Sequence, residues 1–160
     1  MNDLMQYAIV GLATGCIYAL TASGLVVTYT TSGIFNFAHG AIGMVMAYTY
    51  WQFNTAWHVP AAIAFFLVVF VIAPLFGALI ERVLMRRIEG ATVVTTLVMT
   101  LGLLVLLLGV AQTEWSPQKS RISHEFFGGV RATVFGVTIT GHQMFSLLAV
   151  AVAAGALYYV

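Results

Sequence analysis

The chain has 160 residues, 61% of them hydrophobic and 7% charged, with mean hydropathy +0.99 and a formal net charge of +1. Soluble domains carry about 25% charged residues, so this composition excludes a water-soluble globule and describes an all-α polytopic membrane protein in direct contact with the lipid bilayer. The charge balance excludes nucleic acid as a partner, because no basic patch is present to neutralise several phosphates. The single cysteine, Cys16, excludes an internal disulfide and any cysteine-based metal site.

Membrane-spanning helices need about 20 mainly apolar residues each, and about five such helices are expected. The first covers residues 4–28. Gly11, Gly15, Ala19 and Ser23 recur every four positions there, forming one ridge of small side chains on which another helix can pack closely. The start Met1-Asn2-Asp3 has no positive n-region and the apolar stretch outruns a signal h-region, so this segment is read as a retained span. A second span over residues 36–51 is short for a full crossing, which predicts a broken or re-entrant second helix. Residues 53–60 (FNTAWHVP) form a connector, with Trp51, Trp57 and His58 suited to a membrane–water interface. The third span, residues 61–80, contains Pro74, which removes a backbone hydrogen bond and predicts a kink.

Glu81, Arg82, Arg86, Arg87 and Glu89 then form the densest charge cluster in the chain. The fourth span, residues 91–111, is uncharged and carries Thr92, Thr96 and Thr100 on one helical face. Their hydroxyls either bond back to their own helix or form a polar face turned toward a pathway. Residues 112–141 read as an external, water-exposed loop, in which the β-branched run over 132–140 predicts a small hairpin turning near Gly136. A fifth span begins near His142 and is still running at Val160, so residues 1–160 are expected to be one membrane domain, a fragment or the ordered part of something longer.

The residues that stand apart lie between the first two spans. From Asp3 to Glu81 there is no Lys, Arg, Asp or Glu, yet Gly33-Ile34-Phe35-Asn36-Phe37-Ala38-His39-Gly40-Ala41-Ile42-Gly43 places an amide, an imidazole and three glycines within eleven residues. Polar groups at that depth must be satisfied by protein or by a water-lined cavity. Two readings are open. Gly33, Asn36, Phe37, Ala38, His39 and Gly40 line a translocation pathway, or they form a tight turn in which Asn36 caps the next helix and His39 is a neutral buried histidine holding the connector by one hydrogen bond.

Topology follows from counting spans. The connector over 81–90 and the loop over 112–141 lie on opposite sides, each with three Lys/Arg. Arg82, Arg86 and Arg87 sit against helix ends, where the positive-inside bias acts most strongly, which places them in the cytoplasm and the N-terminus outside. No Asp or Glu falls within a predicted span, which argues against a proton-coupled secondary transporter or channel. His39 has no Cys, Asp or Glu near it in sequence, so an intramembrane enzyme is not supported and no catalytic residue or metal ligand is assigned.

Several of these motifs resemble one family. The run Gly15-Cys16-Ile17-Tyr18-Ala19-Leu20-Thr21-Ala22-Ser23-Gly24, then Tyr29, then Gly33-Ile34-Phe35-Asn36-Phe37-Ala38-His39-Gly40 resembles the start of LivH-type permeases, the membrane subunits of ABC importers for branched-chain amino acids. Met46-Ala47-Tyr48, Ile80-Glu81-Arg82-Val83 leading to Arg86-Arg87, Thr100-Leu101-Gly102, and Val137-Thr138-Ile139-Thr140 ahead of Gln143 agree with it. The resemblance implies a permease of about twice this length in the bacterial inner membrane. It also implies a LivM-like sister permease, two cytoplasmic ATPase subunits that bind the ATP, and an extracytoplasmic amino-acid-binding protein. It implies no cofactor in this chain. Related permeases carry urea or short amides with a similar motif, which remains the alternative substrate class. The family's coupling segment lies in the second half of the permease and has no counterpart here. Arg82, Arg86 and Arg87 either fix topology by snorkelling to the interface or touch an ATPase subunit. For an amino-acid substrate, Asn36 offers donors and an acceptor, His39 a donor or an acceptor, and the helix start after Asn36 free N–H groups that favour a carboxylate.

Overall fold

A computed structural model describes residues 2–115, 131–134 and 137–159. It divides into two compact units, Met1–Val27 with His124–Val160, and Thr28–Ser123. In the first unit lie most of helix α1 (Asn2–Ser32), strands β1 (Arg131–Val134) and β2 (Val137–Thr140), and helix α6 (Gly141–Tyr159). β1 and β2 pair antiparallel, with Arg131 opposite Thr140 and Val134 opposite Val137. Residues 135 and 136 lie outside the described residues, as do 116–130, and with them the turn expected near Gly136 and most of the expected loop.

The second unit begins at the end of α1. Gly33 takes φ +67, the left-handed conformation that ends helices and that only glycine adopts without strain. Its N–H donates to Tyr29 O at 2.8 Å. Ser32 Oγ donates to Thr28 O at 2.6 Å and accepts the Ile34 N–H at 3.2 Å, so the orphan groups of this helix end are met locally.

Helix α2 (His39–Trp51) runs directly into a π-helical turn, Gln52–Ala56. Helical backbone therefore starts three residues after Asn36 and continues past Trp51 through residues expected to be connector. The 18 residues span about 27 Å at 1.5 Å per residue. The wide turn closes with Trp57 N–H to Gln52 O at 3.0 Å and Val59 N–H to Phe53 O at 2.9 Å, with His58 at φ 55.

Helices α3 (Ala61–Leu67) and α4 (Ala73–Val83) are joined without a break by a second π turn, Val68–Ile72. Its cause is Pro74. Without an N–H, Pro74 cannot donate to Phe70 O, and the preceding Ala73 N–H reaches back five residues to Val68 O. The expected disturbance is thus taken up as a wide turn one step ahead of the proline. After α4 come a 3₁₀ turn (Met85–Arg87) and a tight turn at Gly90, φ +78. Thr92 then caps helix α5 (Val93–Glu114) by accepting the Thr95 N–H at 3.3 Å.

Among the described residues, three helical stretches are long and apolar enough to cross a membrane: Val10–Ser32, Ala61–Arg87 and Val93–Glu114. Met144–Gly155 is apolar but shorter. Large apolar side chains such as Ile63, Phe66, Phe70, Val98 and Val105 are each more than half exposed. Contiguous apolar surface of this kind is untenable in water and ordinary against hydrocarbon.

The core of the second unit sits between α2 and α5. Ala38, Ala41, Val45 and Leu107 are buried together, with Phe76, Leu103 and Leu104 around them. Ala38, Ala41 and Val45 follow helical spacing, so one face of α2 is small and lets α5 approach, the packing mode available where lipid provides no hydrophobic drive. Ala64, Val68 and Ile80 are the buried positions along α3, its π turn and α4.

Candidate functional site

The connector over residues 33–38 runs from the left-handed Gly33 into a turn at Phe37 and Ala38, and the exposure of its side chains alternates from Phe35 on. Phe35 and Phe37 are about 40% exposed, whereas Asn36 and Ala38 are 7% and 0% exposed. Asn36 and Thr100 are the buried polar residues among those described. Asn36 Oδ1 accepts the Ala38 N–H at 3.0 Å, and Asn36 O accepts the His39 N–H at 3.1 Å. These bonds build the turn from which α2 starts, because an Asn side chain that folds onto the backbone two residues ahead mimics a backbone turn. The helix cap itself is Ala38, which makes no side-chain bond. Asn36 therefore does not cap the helix directly; it shapes the residue that does.

One hydrogen-bonding side of Asn36 remains. Among the described residues none accepts from its Nδ2, and none bonds the imidazole of His39, which is half-buried. The connector is held through backbone N–H of His39, not through its ring. Gly40 and Gly43 lie on the following turn with nothing within 4 Å of where a Cβ would stand. The rings of Phe35 and Phe37 pack at 4.8 Å, and Tyr29 meets Phe35 edge-on at 6.3 Å.

The three threonines of α5 have separate duties. Thr92 is the cap, Thr96 Oγ1 donates to Thr92 O at 3.2 Å, and Thr100 Oγ1 donates to Thr96 O at 3.0 Å. Thr100 is completely buried, whereas Thr92 is exposed. The hydroxyls of Thr96 and Thr100 are thus committed to their own helix as donors and keep acceptor capacity, whereas that of Thr92 accepts at the helix start.

Helices α2 and α5 run in the same direction. At their far ends Tyr48 stacks on Trp115 at 5.3 Å, and Trp115 Nε1 donates to Gln52 Oε1 at 3.3 Å. At their near ends a cleft of about 410 Å³ is lined by residues 32–35 of the connector together with Ile88, Glu89, Val93, Thr96 and Leu97. The connector carrying Asn36 and the turn carrying Arg86 and Arg87 therefore share one end of the unit. Arg82 is in the last turn of α4, where a cation suits the helix dipole. Arg86 Nε stands 4.0 Å from Glu81 Oε1, both side chains more than 60% exposed, a contact worth little in stability. No group of three His, Cys, Asp or Glu that could hold a metal occurs among the described residues.

The family model described as branched-chain amino acid transport system / permease component matches residues 7–160. The chain belongs to that permease family. It is accordingly a multi-pass membrane protein of a bacterial transporter family whose permease components are not enzymes and carry no cofactor. Among similar proteins are the high-affinity branched-chain amino acid transport system permease proteins LivH of Escherichia coli K12, 31% identical, and LivH of Salmonella typhimurium, 30% identical. Each match runs over 122 residues, 70% of this chain and 39% of the relative. BraD of Pseudomonas aeruginosa, a permease protein of the same description, is 31% identical over 110 residues, 64% of this chain and 36% of its own length. The permease chain thus spans about two fifths of the length of these relatives. No solved structure matches it.

Three features of the permease had no signal in its sequence. The Tyr48–Trp115 stack and the Gln52–Trp115 bond link residues more than sixty positions apart. The π turn at Gln52–Ala56 falls where the sequence reads as connector, and the one at Val68–Ile72 lies ahead of Pro74, which predicts a kink but not a wide turn. Tyr50 Oη, Asn54 Oδ1 and Thr55 Oγ1, all around the first π turn, are buried atoms without a hydrogen-bond partner in the described structure.

Proposed function

We propose that this chain is the pathway-forming part of a permease subunit in an ATP-driven importer for branched-chain or other hydrophobic amino acids. The observation that carries the reading is the connector around the buried Asn36. It holds an amide and an imidazole with unspent hydrogen-bonding groups in an otherwise uncharged region of a family member. Gly33, Asn36, Phe37, Ala38, His39 and Gly40 form a narrow, partly polar constriction that opens during alternating access. Thr92, Thr96 and Thr100 offer acceptor oxygens along the neighbouring helix. An extracytoplasmic binding protein supplies selectivity, so the constriction needs apolar walls and a few polar groups, not tight binding.

On this reading α1, α2 with its π turn, the stretch from Ala61, α5 and α6 are five membrane crossings, with the second interrupted ahead of His39. The N-terminus is external, and Glu81, Arg82, Arg86 and Arg87 face the cytoplasm of a bacterium. There the arginines fix topology and lie near the ATPase subunits. A LivM-like permease pairs with this one, and two ATPases bind the nucleotide. What supports this is the family, the clustering of arginines at one helix end, and the names of relatives such as LivH and BraD.

The test is ATP-driven uptake of radiolabelled leucine by the complete native complex in proteoliposomes, with urea and acetamide as competitors. Leucine uptake that falls strongly in His39→Ala, with assembly intact, is the expected result. Uptake unchanged by His39→Ala removes the constriction role. Transport of urea or acetamide in place of leucine reassigns the substrate.

A further inference from the structure

Of the two π turns in the second unit, Pro74 explains the one at Val68–Ile72. The turn at Gln52–Ala56 contains neither proline nor glycine. Wide turns of this kind are rare in helices and collect at functional sites. This one also leaves polar groups unpaired. Thr49 donates its hydroxyl to Val45 O at 2.8 Å, four residues back, as Thr96 and Thr100 do on α5. Thr55 does not. Its Oγ1 is buried with no partner among the described residues, as are Tyr50 Oη and Asn54 Oδ1, and these atoms present no surface to water. Just beyond them His58, at φ 55, is the one non-glycine residue with positive φ among the described residues.

We infer that the Gln52–Ala56 turn is one of two states of this helix and converts to α-helical bonding during the transport cycle. In the α state the Trp57 N–H moves from Gln52 O to Phe53 O, the carbonyl that the Val59 N–H now occupies. Thr55 Oγ1 gains the carbonyl of Trp51, four residues back, as helical threonines ordinarily do. The Val59 N–H is released, and with it the bond from Asn54 Nδ2 to Val59 O at 3.2 Å. One residue thereby passes from helix into connector. The inference rests on the function proposed above and deepens it by assigning a moving part.

The use of that residue follows from its position. Pro60 already caps α3 while Val59 is still bonded into the turn that ends α2, so no free residue separates the two helical stretches. α3 lies against the Gln52–Ala56 turn, and the Val68–Ile72 turn lies against α2. The added residue supplies up to about 3.3–3.6 Å of reach, which lets α3 shift against α2 without unwinding either. Conversion exchanges the two bonds at Val59 for the Thr55 bond and a relaxed His58, the near balance that a two-state element requires. The bond from Trp115 to Gln52 ties the same turn to α5, so its state is felt there as well.

The test is hydrogen–deuterium exchange on the complete permease complex in nanodiscs, resolved to single amides by fragmenting the peptide over residues 52–60. Exchange is compared without nucleotide and after trapping with ATP and orthovanadate. The Val59 amide is expected to exchange at least tenfold faster in the trapped complex while the Trp57 amide stays protected, since one loses its acceptor and the other changes it. Unchanged Val59 exchange overturns the proposal. Equal acceleration of both amides does so too, because it marks fraying of the turn. Thr55→Val is expected to lower leucine uptake severalfold with the nucleotide-free unfolding temperature no lower than in wild type, and Thr55→Ser to keep wild-type uptake. Wild-type uptake in Thr55→Val also overturns the proposal. Uptake by the unmodified complex is measured on the same preparation. Uptake present with a static Val59 amide defeats the switch alone, whereas absent ATP-driven uptake defeats the proposed function and the switch with it.

Discussion

The side chain of Asn36 closes a turn onto Ala38: Oδ1 accepts the Ala38 N–H at 3.0 Å, and both residues are buried. The bond satisfies a backbone donor that has no water to turn to. Asn36→Ala leaves that N–H unpaired, at a cost of about 1–3 kcal/mol. Thermal unfolding of the detergent-solubilised protein is expected to shift several degrees downward. Asn36→Ser, which keeps a short side-chain acceptor, is expected to recover part of the loss. An Asn36→Ala protein as stable as wild type excludes this bond as a determinant of the connector.

Two glycines of the same motif make opposite predictions. Gly33 has φ +67, so Gly33→Ala incurs the left-handed penalty of about 1–2 kcal/mol even though the space for a Cβ is open. Gly40 is inside α2, also with open space beside it, and Gly40→Ala is expected to stabilise the helix by up to about 1 kcal/mol. If Gly40 faces the pathway, as proposed, the same alanine narrows it. Gly40→Ala then raises the unfolding temperature while lowering leucine uptake. A variant improved in stability and unchanged in uptake takes Gly40 out of the pathway.

The contrast between these residues also shows what a single sequence discloses. The uncharged run from Asp3 to Glu81 announced the bilayer, and the amide and glycines within it marked the connector as special. Local signals of that kind survive because they act within a few residues: Gly33 ends a helix, Thr92 starts one, and Pro74 disturbs one. The exact start of α2 did not show, because Asn36 looks like a cap and instead shapes the residue that caps. The π turn at Gln52–Ala56 was invisible for a different reason. The stretch FNTAWHVP has the composition of a loop, and its helical backbone ends through bonds that reach from Trp57 and Val59 back five and six residues. The shared end of connector and arginine turn depends on α2 and α5 being parallel neighbours, which tertiary packing alone decides.

Trp115 joins the ends of α2 and α5 by two contacts of different kind. Trp115→Phe keeps an aromatic ring against Tyr48 but loses the bond to Gln52 Oε1, a loss of about 1 kcal/mol. Trp115→Ala loses the stack as well, worth a further 0.5–1.5 kcal/mol or so beyond the area of the ring. Unfolding temperatures are therefore expected to fall in the order wild type, Trp115→Phe, Trp115→Ala. Gln52→Leu is expected to match Trp115→Phe, and the double variant to add little to either, since both remove one bond. Full additivity shows that the two side chains act independently.

The three unpartnered polar atoms around the first π turn give the last prediction. Tyr50 Oη, Asn54 Oδ1 and Thr55 Oγ1 are buried without a hydrogen bond among the described residues, and each such group is expected to cost about 1–3 kcal/mol. Asn54 is fixed in place by its other end, because Nδ2 donates to Val59 O at 3.2 Å and so holds the turn closed. Tyr50 and Thr55 have no such duty. Tyr50→Phe and Thr55→Val remove a hydroxyl while nearly conserving shape, so each is expected to leave the isolated chain as stable as before or more stable. Asn54→Leu is expected to destabilise, since it also breaks the closing bond. The same substitutions are then compared in the complete complex. Hydroxyls that serve only the isolated fold make no difference there, whereas a fall in complex stability for Tyr50→Phe or Thr55→Val means that the assembled transporter supplies the missing partner. A loss of stability already in the isolated chain contradicts the description of these hydroxyls as unsatisfied.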